Sequence, residues 1–145
     1  AVESSLSVCT TSDAIQVGIE DFLRLMANGR EDKRDFLTPK RQEFMRSVAR
    51  ELTAQGILRL YFLDVEGQRV ATALCFDYRQ HRLLYNSGFD PQHAKLSVGL
   101  VVNALILKNA IQDGIGYFDF LRGNERYKYD LGGTDHTIYR MVIRR

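Results

Sequence analysis

Apolar residues recur along this chain with two different periods, and the switches between them mark out the elements. Residues 6–10 predict a short first strand. Ser12 offers an N-cap with Asp13 in the first turn, and Ile15, Ile19, Phe22 and Met26 follow at helical spacing until Asn28-Gly29 stops the helix. The charged segment 30–35 reads as a loop. Thr38-Pro39 opens a second helix, with proline at the first helical position, where a missing N–H costs no hydrogen bond. Phe44, Val48 and Leu52 mark its buried face and Gly56 its end. Residues 57–63 are almost continuously apolar over a short run, as a central strand would be. A turn at Glu66-Gly67 leads to a strand over 70–76, and a turn near Arg79-Gln80 leads to another over 83–86, so these three should form an antiparallel meander.

Asp90-Pro91 opens a loop that ends near Ser97. A long apolar helix follows and stops at Gly114. Residues 116–121 predict the next strand and 137–143 the last, with a short helical turn at 124–129 between them. The order is βααβββαβ(α)β. It predicts an α/β (α+β) domain built on one mixed sheet of about six strands with helices on both faces, spanning residues 1–145 as a single unit. The strand at 83–86, the helix after it and the strand at 116–121 form a crossover, which should be parallel.

A chain of 145 residues should bury about two-thirds of its unfolded surface and needs no staples. The net charge of +2, carried by scattered Lys and Arg, is too mild to argue for nucleic acid. Cys9 and Cys75 each sit in an apolar run and read as buried thiols, although sequence separation is silent on whether they pair. With no signal peptide visible, the cytoplasm is the expected location. The three histidines match no metal spacing, and no apolar run reaches membrane-spanning length. The chain opens at Ala1, which reads as a processed protein or a piece of something longer.

The chemistry concentrates at 118–133. Phe118-Asp119-Phe120-Leu121 reads as a buried strand that breaks at Gly123, and acid, base, amide and phenol then crowd into 124–130. A buried strand ending in polar groups is where α/β proteins usually place ligands. There is no G-x-S-x-G elbow for a serine hydrolase and no P-loop.

The element order, together with Leu84-Tyr85-Asn86-Ser87-Gly88-Phe89-Asp90-Pro91, Leu96-Ser97-Val98-Gly99-Leu100 and above all Phe118 to Lys128, resembles the GNAT acyltransferase fold. The likeness is greatest to its CelD-type (cellulose-biosynthesis-associated) acetyltransferase branch, which is similar to the FemAB-type aminoacyl transferases. This chain has Ser97-Val98-Gly99 where that branch usually has Ser-Pro-Gly, and it lacks the longer glycine-rich pyrophosphate loop of ordinary GNAT enzymes. The branch often carries two such domains in tandem, and this chain looks like the second half.

The resemblance implies transfer of an acetyl or other acyl group from acyl-CoA, without a metal, to an amine or hydroxyl of a sugar or cell-envelope precursor. It implies that Tyr85, Ser87 and Gly88 line the pantetheine slot, and that Ser97 and Gly99 meet the pyrophosphate at a helix N-terminus. Glu125 would take the acceptor's proton and Tyr127 would protonate the leaving thiolate, with Asp119 as a further base or acceptor-binding group. Arg122, Lys128 and Arg30, with Lys33 beside the last, would bind the acceptor. Each also has a structural alternative: a cap, an ion pair, an aromatic plug or a solvated charge. Strand alternation places Asp119 on the face with Tyr117 and Leu121, where a buried carboxylate needs a partner such as Arg122 or Lys128. Two other readings keep the fold: a FemAB-like transferase taking its donor from aminoacyl-tRNA, and a non-catalytic domain that scaffolds a partner. A missing seventh strand would leave an exposed sheet edge able to pair with a second copy or a second domain.

Overall fold

In the computed structural model, residues 2–144 are described. Five strands form one sheet in the order of the chain: β1 (Ser4–Cys9), β2 (Leu58–Val65), β3 (Gln68–Tyr78), β4 (His81–Phe89) and β5 (Tyr117–Asp119). The first four pair antiparallel, so the meander stands as the turn signals predict. β5 returns parallel to β4 after the crossover.

Alternation along β2 explains the layers. Leu58, Leu60 and Phe62 point to one face, where they pack with Ile15, Phe22 and Met26 of α1 (Ser12–Gly29) and Met45 and Ala49 of α3 (Pro39–Ala54). Tyr61, Leu63 and Val65 point to the other, against Val98, Val102 and Ile106 of α4 (Val98–Gln112). The sheet is covered on both faces, so its central strands read as apolar runs.

A buried polar network ties the foot of β4 to the end of α4. The Arg82 side chain is fully buried and donates to both oxygens of Asp77 at 2.8 and 2.9 Å, to Asn109 Oδ1 at 2.9 Å and to Asp113 at 2.9 Å. The Tyr61 hydroxyl donates to the same Asn109 oxygen at 2.6 Å. A buried guanidinium is tolerated because its donors are matched by acceptors in good geometry.

Four expectations need correction. Residues 137–143 form no strand, so the described sheet has five strands instead of six. Ile138, Tyr139, Met141, Val142 and Ile143 are 61–93% exposed. A strand needs a partner edge and a face to bury. β5 offers only three residues before Leu121, at φ 56°, turns the chain away. The segment 30–35 is largely helical instead of a loop: α2 (Glu31–Phe36) has Glu31 and Asp32 in its first turn and Lys33 and Arg34 in its last, matching the helix dipole at both ends. The buried face of α3 runs through Met45, Ala49 and Thr53, and Phe44 is 60% exposed. Thr11 rather than Ser12 caps α1, its Oγ1 accepting from Ala14 N. A 3-10 turn (Pro91–Leu96) fills the loop before α4, and a short α5 (Arg126–Asp130) occupies the predicted helical turn near 124–129.

Candidate functional site

β4 and β5 pair only over His81–Tyr117, Arg82–Phe118 and Leu83–Asp119. Beyond that point β4 continues to Phe89 while β5 ends, and the two diverge. The divergence opens a cleft of about 820 Å³. One wall is β4 from Leu84 to Phe89, another the first turns of α4, and a third the segment from Phe120 to Lys128. The end of α1 and the start of α2 form the rim. β4 carries an irregularity here: Leu74 pairs with Asn86 and Cys75 with Leu84, so Tyr85 has no partner on β3. A bulge of this kind bends the strand and re-aims its polar groups.

Ser97, at the N-cap of α4, adopts φ 52° and ψ 35°, a left-handed conformation usually left to glycine, and its side chain makes no cap bond. The loop thus takes a glycine-like turn without the glycine-rich sequence. Gly99 lies in the following turn. A Cβ there would come within 3.2 Å of the Phe89 ring, so the glycine lets α4 sit close to β4. Gly88 also lines the cleft, but its bareness serves the opposite wall: a Cβ would meet Met26 N and Cα at 2.5 Å. Gly88 is there for the approach of α1.

Arg30, Lys33, Tyr85, Ser87, Ser97, Arg122, Glu125, Tyr127 and Lys128 all reach the cleft. Asp119 does not. It lines a second, smaller cavity of about 570 Å³ beside the C-terminal tail, and its Oδ1 accepts from Leu121 N at 2.7 Å. It has neither of the expected cationic partners; it holds the turn that ends β5. Lys128 is buried and committed: Nζ lies 2.9 Å from Glu125 Oε2 and donates to the carbonyl of Arg122 at 2.7 Å. It organises the loop instead of presenting a free charge. The Lys128 ammonium donating to Glu125, with help from Arg30, holds the Glu125 carboxyl below its usual range, so Glu125 stays ionised and is a weak proton acceptor. Burial, with the Glu125 charge adding to it, pushes the Tyr127 phenol up to about 12, so it carries its proton at neutral pH. Its ring stands edge-on to Phe120 with centroids 6.2 Å apart.

Sequence reasoning missed two residues at this site. Asn103 on α4 is only 3% exposed and lines the cleft with its Oδ1 unpartnered. Its signal was a lone amide inside the apolar run of the helix. Asn86 is the second. Its Oδ1 accepts from Ser87 N and from Lys33 Nζ, both at 2.9 Å, while the Ser87 carbonyl also accepts from Lys33 Nζ. The backbone polar groups of Ser87 are therefore bound within the protein. Lys33 is half-buried, and desolvation together with the nearby Arg30 charge lowers its pKa. Among the described residues no cluster of His, Cys, Asp or Glu could hold a metal ion. Cys9 and Cys75 are buried free thiols, and burial pushes the Cys75 thiol up. Among the described residues no helix is long and apolar enough to cross a membrane.

The chain is similar in fold to an aminoglycoside acetyltransferase from an uncultured soil metagenomic sample, solved in complex with sisomicin (TM-score 0.67, 12% identity, 98% of this chain and 97% of that one covered). It is also similar to a predicted acetyltransferase from Clostridium acetobutylicum, solved with acetyl-CoA (0.69, 10%, 97% and 96%). A third is a ribosomal-protein-alanine N-acetyltransferase from Brucella melitensis biovar Abortus 2308 (0.63, 10%, 99% and 99%). No functionally curated protein matches the sequence significantly. Identities of this size establish the fold, which is the expected GNAT fold with one strand fewer. The model of the acetyltransferase (GNAT) domain matches residues 2–129, and the chain belongs to that family.

Proposed function

We propose that this domain transfers an acetyl group directly from acetyl-CoA to an amine or hydroxyl of a small acceptor, on a sugar or cell-envelope precursor. The observation that carries the reading is the divergence of β4 and β5 beneath the N-terminus of α4. A slot between two separating parallel strands suits a narrow pantetheine arm, and a fifteen-residue helix aimed at its mouth suits a pyrophosphate. Leu100 and Val101 donate to the Ser97 carbonyl, so Val98 and Gly99 are the N–H groups of the first turn left for an anion. The unpartnered Asn103 oxygen suits an amide N–H of the arm.

In this reading the acceptor's lone pair attacks the thioester carbonyl, the C–S bond breaks, the thiolate leaves, and the proton that the acceptor sheds passes to water in the open cleft, from which the Tyr127 phenol regains the proton it gives up. Tyr127, protonated and beside the cleft, supplies the proton that the thiolate needs. Glu125, ionised and paired to Lys128, orients the acceptor by accepting a hydrogen bond from its N–H or O–H. The transfer needs no metal. The exposed apolar tail and the short, open edge of β5 further suit pairing with a second copy of the chain, which sedimentation over a concentration series would reveal.

Calorimetric titration with acetyl-CoA, desulfo-CoA and dephospho-CoA tests the reading. Micromolar binding, weakened by loss of a phosphate, is the expected result. Absence of heat and of any thermal shift would refute it. That outcome would turn attention to an aminoacyl-tRNA donor, although the net charge of +2 gives tRNA little to hold.

A further inference from the structure

The charges of the cleft are unequally matched. Four cations line it against two carboxylates. Arg30 grips Asp32 with two hydrogen bonds of 3.0 and 2.8 Å, and Lys128 holds Glu125. Lys33 and Arg122 have no carboxylate within 4 Å among the described residues. Arg122 is exposed and solvated, whereas Lys33 is half-buried and fixed. Its two acceptors, Asn86 Oδ1 and the Ser87 carbonyl, are neutral and both belong to the β4 wall. An ammonium has three donors, so one remains for a group in the cleft. The Arg30 charge on the same rim disfavours the ammonium, and the Asp32 and Glu125 carboxylates, each more than 4 Å away, favour it without restoring its ordinary pKa.

A desolvated cation held by neutral oxygens next to another cation is unfavourable unless an anion comes between them. The Lys33 side chain could extend from α2 into solvent, as Arg34 does. We infer that Lys33, fixed to β4 by Asn86, is the docking point for a carboxylate or phosphate on the acceptor molecule. The inference rests on the acetyltransferase reading for the word acceptor, but the anion site itself does not depend on it. It implies an anionic or zwitterionic acceptor and excludes polycations of the aminoglycoside type. A sugar phosphate and a uronic or amino acid are the two sources that fit.

Amide-resolved NMR titration tests this on the whole chain saturated with desulfo-CoA, so that the α4 N-terminus is already filled. The probes are inorganic phosphate, acetate and sisomicin. Millimolar phosphate or acetate should shift the Ser87 amide and the Asn86 side chain. The affinity should fall at least tenfold in Lys33→Met and stay within about threefold in Lys33→Arg. Sisomicin should leave these resonances unmoved. Which anion binds tighter separates the phosphate source from the carboxylate one. The dispersion of each variant's spectrum reports its folding, and Lys33→Arg provides the second reading if Lys33→Met is disordered. Equal anion affinity in Lys33→Met and wild type, or shifts at this site with sisomicin alone, would overturn the inference. If desulfo-CoA itself fails to bind, the acetyltransferase reading falls, while the anion titration on the free protein still decides the Lys33 site.

Discussion

Gly88→Ala separates packing from cofactor binding at one atom. The added Cβ would lie 2.5 Å from both N and Cα of Met26, and 2.6 Å from the carbonyl carbon of Leu25. Carbon contacts settle near 3.5–4.0 Å, so α1 must retreat from β4 by about 1 Å. The obstacle is helix backbone, which cannot rotate aside as a side chain would. Overpacking costs about 1–3 kcal/mol, and a backbone clash belongs at the upper end, about 3 kcal/mol. For a domain of this size that is a Tm lower by roughly 10 °C. Thermal unfolding followed by circular dichroism reads it, with an acetyl-CoA titration well below the new Tm. The expected outcome is a large loss of stability with a smaller change in affinity. A Tm within 2 °C of wild type, with acetyl-CoA binding abolished, would refute the packing argument and return Gly88 to the cofactor.

Arg82→Met should cost about 1–3 kcal/mol, because Asp77 keeps only Arg59 and Asp113 loses its donor; a urea midpoint close to wild type would contradict that. Tyr127→Phe should lower kcat about a hundredfold with little change in the KM for acetyl-CoA, and a KM effect alone would remove Tyr127 from proton transfer. Glu125 has a folded pKa below its unfolded value, so its pair with Lys128 stabilises the fold above about pH 4.3 and that contribution is lost as the pH falls through the folded value. Acid unfolding of Glu125→Gln should therefore show a shallower pH dependence below pH 5 than wild type, and identical curves would deny the pair any role. Ser97→Val should destabilise by about 1–2 kcal/mol, since a β-branched residue resists φ 52°, whereas Ser97→Gly should stay within about 1 kcal/mol of wild type in the same unfolding assay.

The elements were legible because local chemistry writes them. Thr38-Pro39 starts α3, Glu66-Gly67 and Arg79-Gln80 turn the meander, and the apolar run of β2 declares a strand covered on both faces. Much of the cleft followed, since Ser97, Glu125 and Tyr127 come from helix starts that the order alone brings to one end of the sheet, beside Tyr85 of β4. What needed tertiary structure was direction and partnership. Periodicity does not say which of two adjacent residues a helix buries: Phe44 gave way to Met45 because α3 meets α1 on that side. Composition makes 137–143 β-competent, but pairing needs an edge, and β5 ends too early. A glycine's purpose depends on what faces it: Gly88 faces α1 and Gly99 faces Phe89. Among the charged groups, sequence names the cations and carboxylates. Only the folded distances show that Lys128 is paired with Glu125, that Asp119 holds a turn, and that Lys33 is held against β4 by neutral oxygens. Electrostatic coupling acts over a few ångströms and takes no account of sequence separation.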